Sequence, residues 1–301
     1  MTMSNQDRVQ RLVGRIFPRR TAATPTDEHA YTTEPPFWAE YDEIHVSVTW
    51  TYDLPRAEQL AKEWQHVAPV KIGGPATGMR GEAFTPGMYV KPGYVITSRG
   101  CPNKCWFCSV WKRDGQIREL PIHDGFNVLD DNLLACSETH IRAVFAMLSR
   151  QKEKARFTGG LEAKRLQRWH VELLATLKPK VMYFAYDTPD DYEPLVAAGK
   201  LLKEAGIHAP AASAYVLCGW PKDTESAADK RMRETWAAGF YPYAMIWRDK
   251  HGQKSKAWDA FNNVWSQPAC AKRCLCDGTS AGRERQDAPL FVANENHGKP
   301  Q

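Results

Sequence analysis

From residue 94 onward, short runs of β-branched and aromatic residues alternate with longer segments whose apolar positions recur every three to four residues. The strand candidates are YVIT (94–97), FNVL (126–129), ARFT (155–158), VMYFAY (181–186), ASAYVL (212–217) and YAMIW (243–247). Helical patterning fills 138–152, 162–177, 191–205 and 224–238, with Ser137 and Thr224 as N-cap residues. Strands separated by helices imply parallel pairing through right-handed crossovers. The expected fold is α/β, a partial (βα)6 TIM-like barrel over residues 85–250.

Upstream, the pattern predicts a small β-α-β unit within 37–84. HVSVTW (45–50) reads as a strand, Asp53 and Pro55 open a helix that runs to about His66, and VKI (70–72) is a second strand ended by Gly73, Gly74 and Pro75. Residues 1–36 read as an arm and linker. In the arm Val9, Leu12, Val13 and Ile16 fall at helical spacing among Arg8, Arg11, Arg15, Arg19 and Arg20, a basic amphipathic helix, and residues 21–36 are rich in Thr, Ala and Pro. Residues 251–301 form a C-terminal extension with a polar tail.

No apolar run is long enough to span a bilayer, and the N-terminus lacks a signal-peptide pattern, so the expected location is the cytoplasm. That changes the reading of the eight cysteines. Where thiols stay reduced, clustered cysteines serve metals or catalysis more often than disulfides. Cys101, Cys105 and Cys108 form one group and Cys270, Cys274 and Cys276 another; Cys136 reads as a small buried hydrophobe. The net charge of +5 is compatible with an anionic partner without demonstrating one.

The segment RGCPNKCWFCSVW directly follows the first barrel strand, at the C-terminal mouth where sites in such folds gather. Its C-x-x-x-C-x-x-C spacing lets three thiolates cap three irons of a cubane and leaves the fourth iron without a protein ligand. Structural zinc fits poorly, because it usually takes a fourth ligand. This loop, with the aromatic residue before its last cysteine, resembles the signature of the radical S-adenosylmethionine (SAM) superfamily. The resemblance covers roughly residues 85–250. It implies a [4Fe–4S] cluster on Cys101, Cys105 and Cys108, with SAM chelating the open iron and Phe107 near the adenine. Leu129-Asp130-Asp131-Asn132 stands where the family binds the SAM amino group, and Asp130 or Asp131 would pair with an ammonium; capping of the following helix is the alternative. Gly159 and Gly160, in Thr158-Gly159-Gly160-Leu161-Glu162, allow close backbone approach to a ligand or serve a tight turn. Gly219, in Val216–Thr224, matches the glycine beside the SAM adenine and ribose. After the fourth strand, either Tyr186 or Asp187 would face substrate.

The chain also resembles the cobalamin-type branch of the superfamily, yet it lacks the D-x-H-x-x-G pattern. The nearest approach, Asp27-Glu28-His29, has Thr32 where glycine should stand, so no cobalamin is expected. For Cys270, Cys274 and Cys276 an auxiliary Fe–S cluster, either completed by Cys218 or left open to bind substrate, a zinc site and free surface thiols all remain open. Lys272 and Arg273 would stabilise thiolates there.

The implied reaction is reductive cleavage of SAM to a 5′-deoxyadenosyl radical, fed by flavodoxin or ferredoxin, followed by hydrogen abstraction from substrate. The arginine arm, the basic stretch Arg248–Lys256 and Trp106, Trp111 and Trp220 suggest a nucleic-acid base or nucleotide, with cations on phosphates and rings stacked on a base. The compact chain also resembles phage-encoded radical SAM proteins, some of which rearrange an amino-acid adduct in thymidine hypermodification; a phage origin would place it in the host cytoplasm. Two rivals stand: a peptide-modifying radical SAM enzyme with an auxiliary cluster, and a non-catalytic Fe–S or zinc protein that binds nucleic acid.

Overall fold

The computed structural model describes residues 11–81, 83–249, 251–253, 256–267, 271 and 273–275. Two parallel sheets form the framework. The first contains β1 (Val13–Ile16), β2 (Ala30–Tyr31), β3 (Glu43–Ser47) and β4 (Val70–Gly73) in the order β2-β1-β3-β4. Helix α1 (Leu54–Trp64) connects β3 to β4 and covers one face, burying Ala57, Leu60 and Trp64 with Ile44 and Val46.

The N-terminal helix expected from spacing is a strand where it is described. Residues 13–16 pair in parallel with both β2 and β3. Tertiary pairing overrides the helical spacing because Gly14 packs against Tyr41 and Ile44 and Arg15 turns inward. The buried Arg15 guanidinium pairs with Asp27 and donates to the carbonyls of Gly87 (2.9 Å) and Met88 (3.2 Å). The supposed linker therefore supplies β2 and, in Asp27, the ion-pair partner of the buried Arg15. Asp53 precedes α1, but its carboxylate caps nothing; it accepts two bonds from Arg19, at 2.9 and 2.8 Å.

The second sheet holds β5 (Tyr94–Val95), β8 (Asn127–Val128), β9 (Arg156–Phe157), β10 (Val181–Tyr186), β11 (Ala212–Cys218) and β12 (Tyr241–Ile246), all parallel and in sequential order. Between β5 and β8 the chain inserts a small antiparallel pair, β6 (Ser98–Arg99) and β7 (Arg118–Glu119), and the one-turn helix α2 (Val110–Arg113). Helices α3 (Glu138–Ser149), α4 (Arg168–Leu177), α5 (Tyr192–Glu204) and α6 (Glu225–Ala237) connect successive strands; α7 (Lys256–Ser266) follows β12. Ser137 and Thr224 cap as expected, accepting from the backbone N–H of His140 and Ala227. The helix expected from 162 starts at 168, after a short turn of 3-10 helix over Ala163–Arg165.

Strand alternation assigns the two faces of this sheet. Met182, Phe184 and Tyr186 of β10 and Ala212, Ala214, Val216 and Cys218 of β11 share one core with Leu195, Leu202 and Met232 of the helices. The odd-numbered positions line the opposite face. No helix among the described residues is long and apolar enough to cross a membrane.

Gly199 lets α5 approach the chain that leads into β12. A Cβ there would run into the Ala238 carbonyl and the Phe240 ring. Gly199→Ala gains about 1 kcal/mol of helix propensity, yet the collision should leave the variant about 2 kcal/mol less stable. A lowered urea midpoint is expected; an unchanged or raised one would refute the close approach.

Candidate functional site

The cysteine loop is held at its base by β6 and β7. Gly100 leaves β6 at φ +90°, where a side chain would strike the Gln116 carbonyl. Cys101 N–H donates to the Gly115 carbonyl at 3.0 Å, closing the loop's two ends together. Inside it, Cys108 N–H donates to the Cys105 carbonyl (3.2 Å), which also accepts the Trp111 indole N–H (3.0 Å). Trp111 thus folds back on its own loop.

Asp130 fastens this loop to the sheet. Its buried carboxylate accepts from Thr97 N–H (2.6 Å), Thr97 hydroxyl (2.6 Å) and Ser98 hydroxyl (2.7 Å). Asp131 accepts Gly100 N–H at 2.9 Å and faces Arg113 and Arg99 at 3.7 and 3.9 Å. Burial pushes both carboxyls above the ordinary range, with the hydrogen bonds or arginines pulling the other way. Neither acid caps α3; Asp130 takes its donors from Thr97 and Ser98 and Asp131 from Gly100, so both help place the loop.

Asn132 is arranged differently. Its Nδ2 lies 3.4 Å from Cys101 Sγ and donates to Glu162 Oε2 at 2.7 Å, while its Oδ1 is buried without a partner. Glu162 also accepts Arg165 Nε at 2.6 Å. Glu162 therefore joins the site; its only sequence signal was its place in the turn after the third strand. In that turn a Cβ on Gly159 would collide with the backbone of Leu129 and Asp130, so Gly159 serves packing. Gly160, at φ +116°, has open space where a Cβ would stand.

The mouth is completed from the far strands. Trp106 meets Phe107 edge-to-face at 5.4 Å and Trp220 at 6.3 Å, and Arg231 lies 4.4 Å over the Trp220 ring. Gly219 brings the chain against the Trp258 ring, a packing role. Asp187 faces this region and accepts Leu217 N–H at 3.1 Å; burial, with Asp191 nearby, pushes its carboxyl up to about 7. Tyr186 points to the helices instead, donating to Glu234 at 2.7 Å.

The three thiols feel one another, and burial with this mutual repulsion pushes Cys105 up to about 11 and Cys108 also upward. Among the described residues, however, no three His, Cys, Asp or Glu side chains converge on a single ion. In the second cysteine group, Cys270 and Cys276 lie outside the described residues. Cys274 is buried and its carbonyl accepts from Arg233 at 2.7 Å; Cys218 is buried in the same core, where burial pushes its thiol up to about 12. Of the basic residues expected to meet phosphate, Arg15 and Arg19 serve ion pairs, Arg248 covers the Tyr52 ring at 5.4 Å, and Lys250 and Lys254 lie outside the described residues. A cavity of about 840 Å³ behind the loop's base is bordered by the internal pairs Arg19–Asp53 and Arg113–Asp114.

No protein-family profile matches the sequence, and no curated protein matches it. Solved structures do. The radical SAM methyltransferase TsrM from Kitasatospora setae, with cobalamin and a [4Fe–4S] cluster bound, aligns with a TM-score of 0.57 at 11% identity, over 78% of this chain and 75% of that one. The fold is similar to that of a radical SAM methyltransferase. A second structure of the same enzyme, with tryptophan substrate and the SAM analogue aza-SAM, aligns with a TM-score of 0.52 at 11% identity, over 70% of this chain and 63% of that one.

Two outcomes follow from this geometry. Asp130→Asn sets an amide NH2 against groups that already donate and should cost about 2 kcal/mol, read as a lower urea midpoint; an unchanged midpoint would remove the anchoring role. A raised Asp187 pKa means that the native state holds a proton the unfolded chain has lost, so stability falls as pH rises from about 4 to 7. In metal-free protein Asp187→Asn should remove that slope, gaining up to about 4 kcal/mol over wild type by pH 8; parallel pH profiles of the two proteins would contradict it.

Proposed function

We propose that the chain is a radical SAM enzyme, with Cys101, Cys105 and Cys108 holding a [4Fe–4S] cluster. The observation that carries the reading is Asn132: one amide donates towards a cysteine sulfur and to a carboxylate, and its carbonyl oxygen is buried with no partner. A buried acceptor without a donor costs stability and suits a site that receives a ligand's N–H. Asn132 Oδ1 and Glu162 would take the SAM ammonium, Gly160 would admit its backbone, and Phe107 would stand against the adenine. When bound, such a cluster supplies one electron for reductive cleavage of SAM to methionine and a 5′-deoxyadenosyl radical. The residues around it hold SAM, orient it and keep water out. A flavodoxin or ferredoxin would deliver the electron. We read the six-stranded sheet as the partial barrel of such enzymes, with the cysteine loop at its mouth.

The substrate in this reading is a nucleic-acid base or nucleotide, supported by the ring surface that Trp106 and Trp220 present beside the loop. Cobalamin, bound by the similar enzyme, has no place in the proposal.

Anaerobically reconstituted, reduced protein should convert SAM to 5′-deoxyadenosine. The Cys101/Cys105/Cys108→Ala variant should form none, and Asn132→Ala should raise the KM for SAM about tenfold, as expected for a hydrogen bond to a charged group. Wild-type protein that binds iron but forms no 5′-deoxyadenosine would exclude the reading.

A further inference from the structure

The face of the six-stranded sheet turned away from the helices carries a feature that the SAM site does not use. Alternation puts Tyr183 of β10, Tyr215 of β11, and Tyr241, Tyr243 and Met245 of β12 on that face. Their register is set by the ladders: Tyr183 is opposite Ser213, Ser213 opposite Tyr241, Tyr215 opposite Tyr243, and Ala185 opposite Tyr215. Tyr183 and Tyr215 stack at 4.2 Å with planes 5° apart, and Tyr243 stands edge-on to both, at 6.1 and 5.7 Å. Tyr243 is 38% exposed and Met245 39% exposed, so this end of the surface is open. Ala185 leaves room beside Tyr215.

The hydroxyls are the telling part. The Tyr241 hydroxyl is buried with no hydrogen-bond partner, and among the described residues those of Tyr183, Tyr215 and Tyr243 have no protein partner either. Some tyrosine hydroxyls elsewhere in the chain find partners: Tyr31 with Tyr41, Tyr89 with His45, Tyr186 with Glu234. Of the four hydroxyls only that of Tyr241 is buried; those of Tyr183, Tyr215 and Tyr243 reach solvent and keep their hydrogen-bonding capacity there. Flat rings whose hydroxyls are free of protein partners match a ligand that is itself flat and polar at its edge. The surface is also well placed. Leu217, two residues beyond Tyr215, is opposite Met245 and donates to Asp187 at the mouth, a rise of roughly 7 Å along the strand.

We infer that Tyr183, Tyr215, Tyr241 and Tyr243 form the substrate floor, which receives a heteroaromatic ring with hydrogen-bonding edges, the chemistry of a nucleobase. The inference deepens the proposed function and rests on it for the reacting centre at the mouth. The ring stacks on Tyr243 and Met245, and the tyrosine hydroxyls read its edge.

The test is equilibrium dialysis of the reconstituted full chain with SAM against the four deoxynucleosides, free and as single-stranded homopolymers of roughly a dozen nucleotides, with 2-deoxyribose and L-tryptophan for comparison. At least one base should bind and 2-deoxyribose should not. Tyr243→Ala should weaken that binding about tenfold and Tyr241→Phe about fivefold, while Tyr241→Phe raises the Tm because an unmet hydroxyl is gone. A purely structural tyrosine would not lose binding as the fold gains stability. The inference is overturned if no base binds, if the variants bind as wild type does, or if tryptophan alone binds. SAM cleavage measured without nucleoside separates the two readings. Base binding that depends on the tyrosines in a protein that never cleaves SAM keeps the floor and removes the radical chemistry; SAM cleavage without base binding does the reverse.

Discussion

The Asp130 carboxylate stands where water cannot reach it, so the protein has to supply its hydrogen bonds, and the groups that do so are the first residues of the hairpin that carries the three cysteines. Thr97 gives its N–H and its hydroxyl, and Ser98 gives its hydroxyl. His140 Nε2 of α3 lies 3.3 Å from Thr97 Oγ1 and extends the network to the neighbouring helix. One residue on, Asp131 takes Gly100 N–H. Two adjacent acids at the end of β8 thereby set the height and direction of a loop that has little secondary structure of its own. A carboxylate whose donors are lost would be left charged and buried, so the arrangement is strongly specified.

With the loop fixed, the other parts of the site follow from parallel topology. Strands in sequential order bring the ends of β8, β9, β10 and β11 to one edge, and each contributes a neighbour: Asn132, Glu162, Asp187, and the turn that holds Trp220. The energetic pattern is uneven. Asp130 and Tyr186 have their polar groups met by the protein; Arg231 pairs with Asp223, yet its Nε is buried without a partner. Asn132 Oδ1 and the Tyr241 hydroxyl are buried and unmet. Such burial costs stability wherever it occurs and is tolerated where function uses it.

Much of this architecture was legible in the sequence because local and long-range signals agreed. VMYFAY became β10 over the same residues, and Ser137 and Thr224 cap the helices that they were expected to cap. The cysteine loop stood out by its spacing and by the aromatic residue before its last cysteine. Two things were hidden. Residues 13–16 carry helical spacing, and only pairing with β3 and the ion pair of the inward Arg15 make them a strand. The roles of Asp130 and Asp131 were hidden too, because a sequence shows that acids follow a strand but not which donors reach them. The tyrosines were visible as strand residues; which face of the sheet they line depends on which face the helices cover.

The central claim is that the three thiols hold a cluster with one iron open to SAM. The most direct measurement is the EPR spectrum of anaerobically reconstituted, reduced protein with and without SAM. A [4Fe–4S] signal that changes when SAM is added, and that is absent from the Cys101/Cys105/Cys108→Ala variant, is the predicted result. A protein that retains only zinc, or whose iron signal is indifferent to SAM, would contradict the claim.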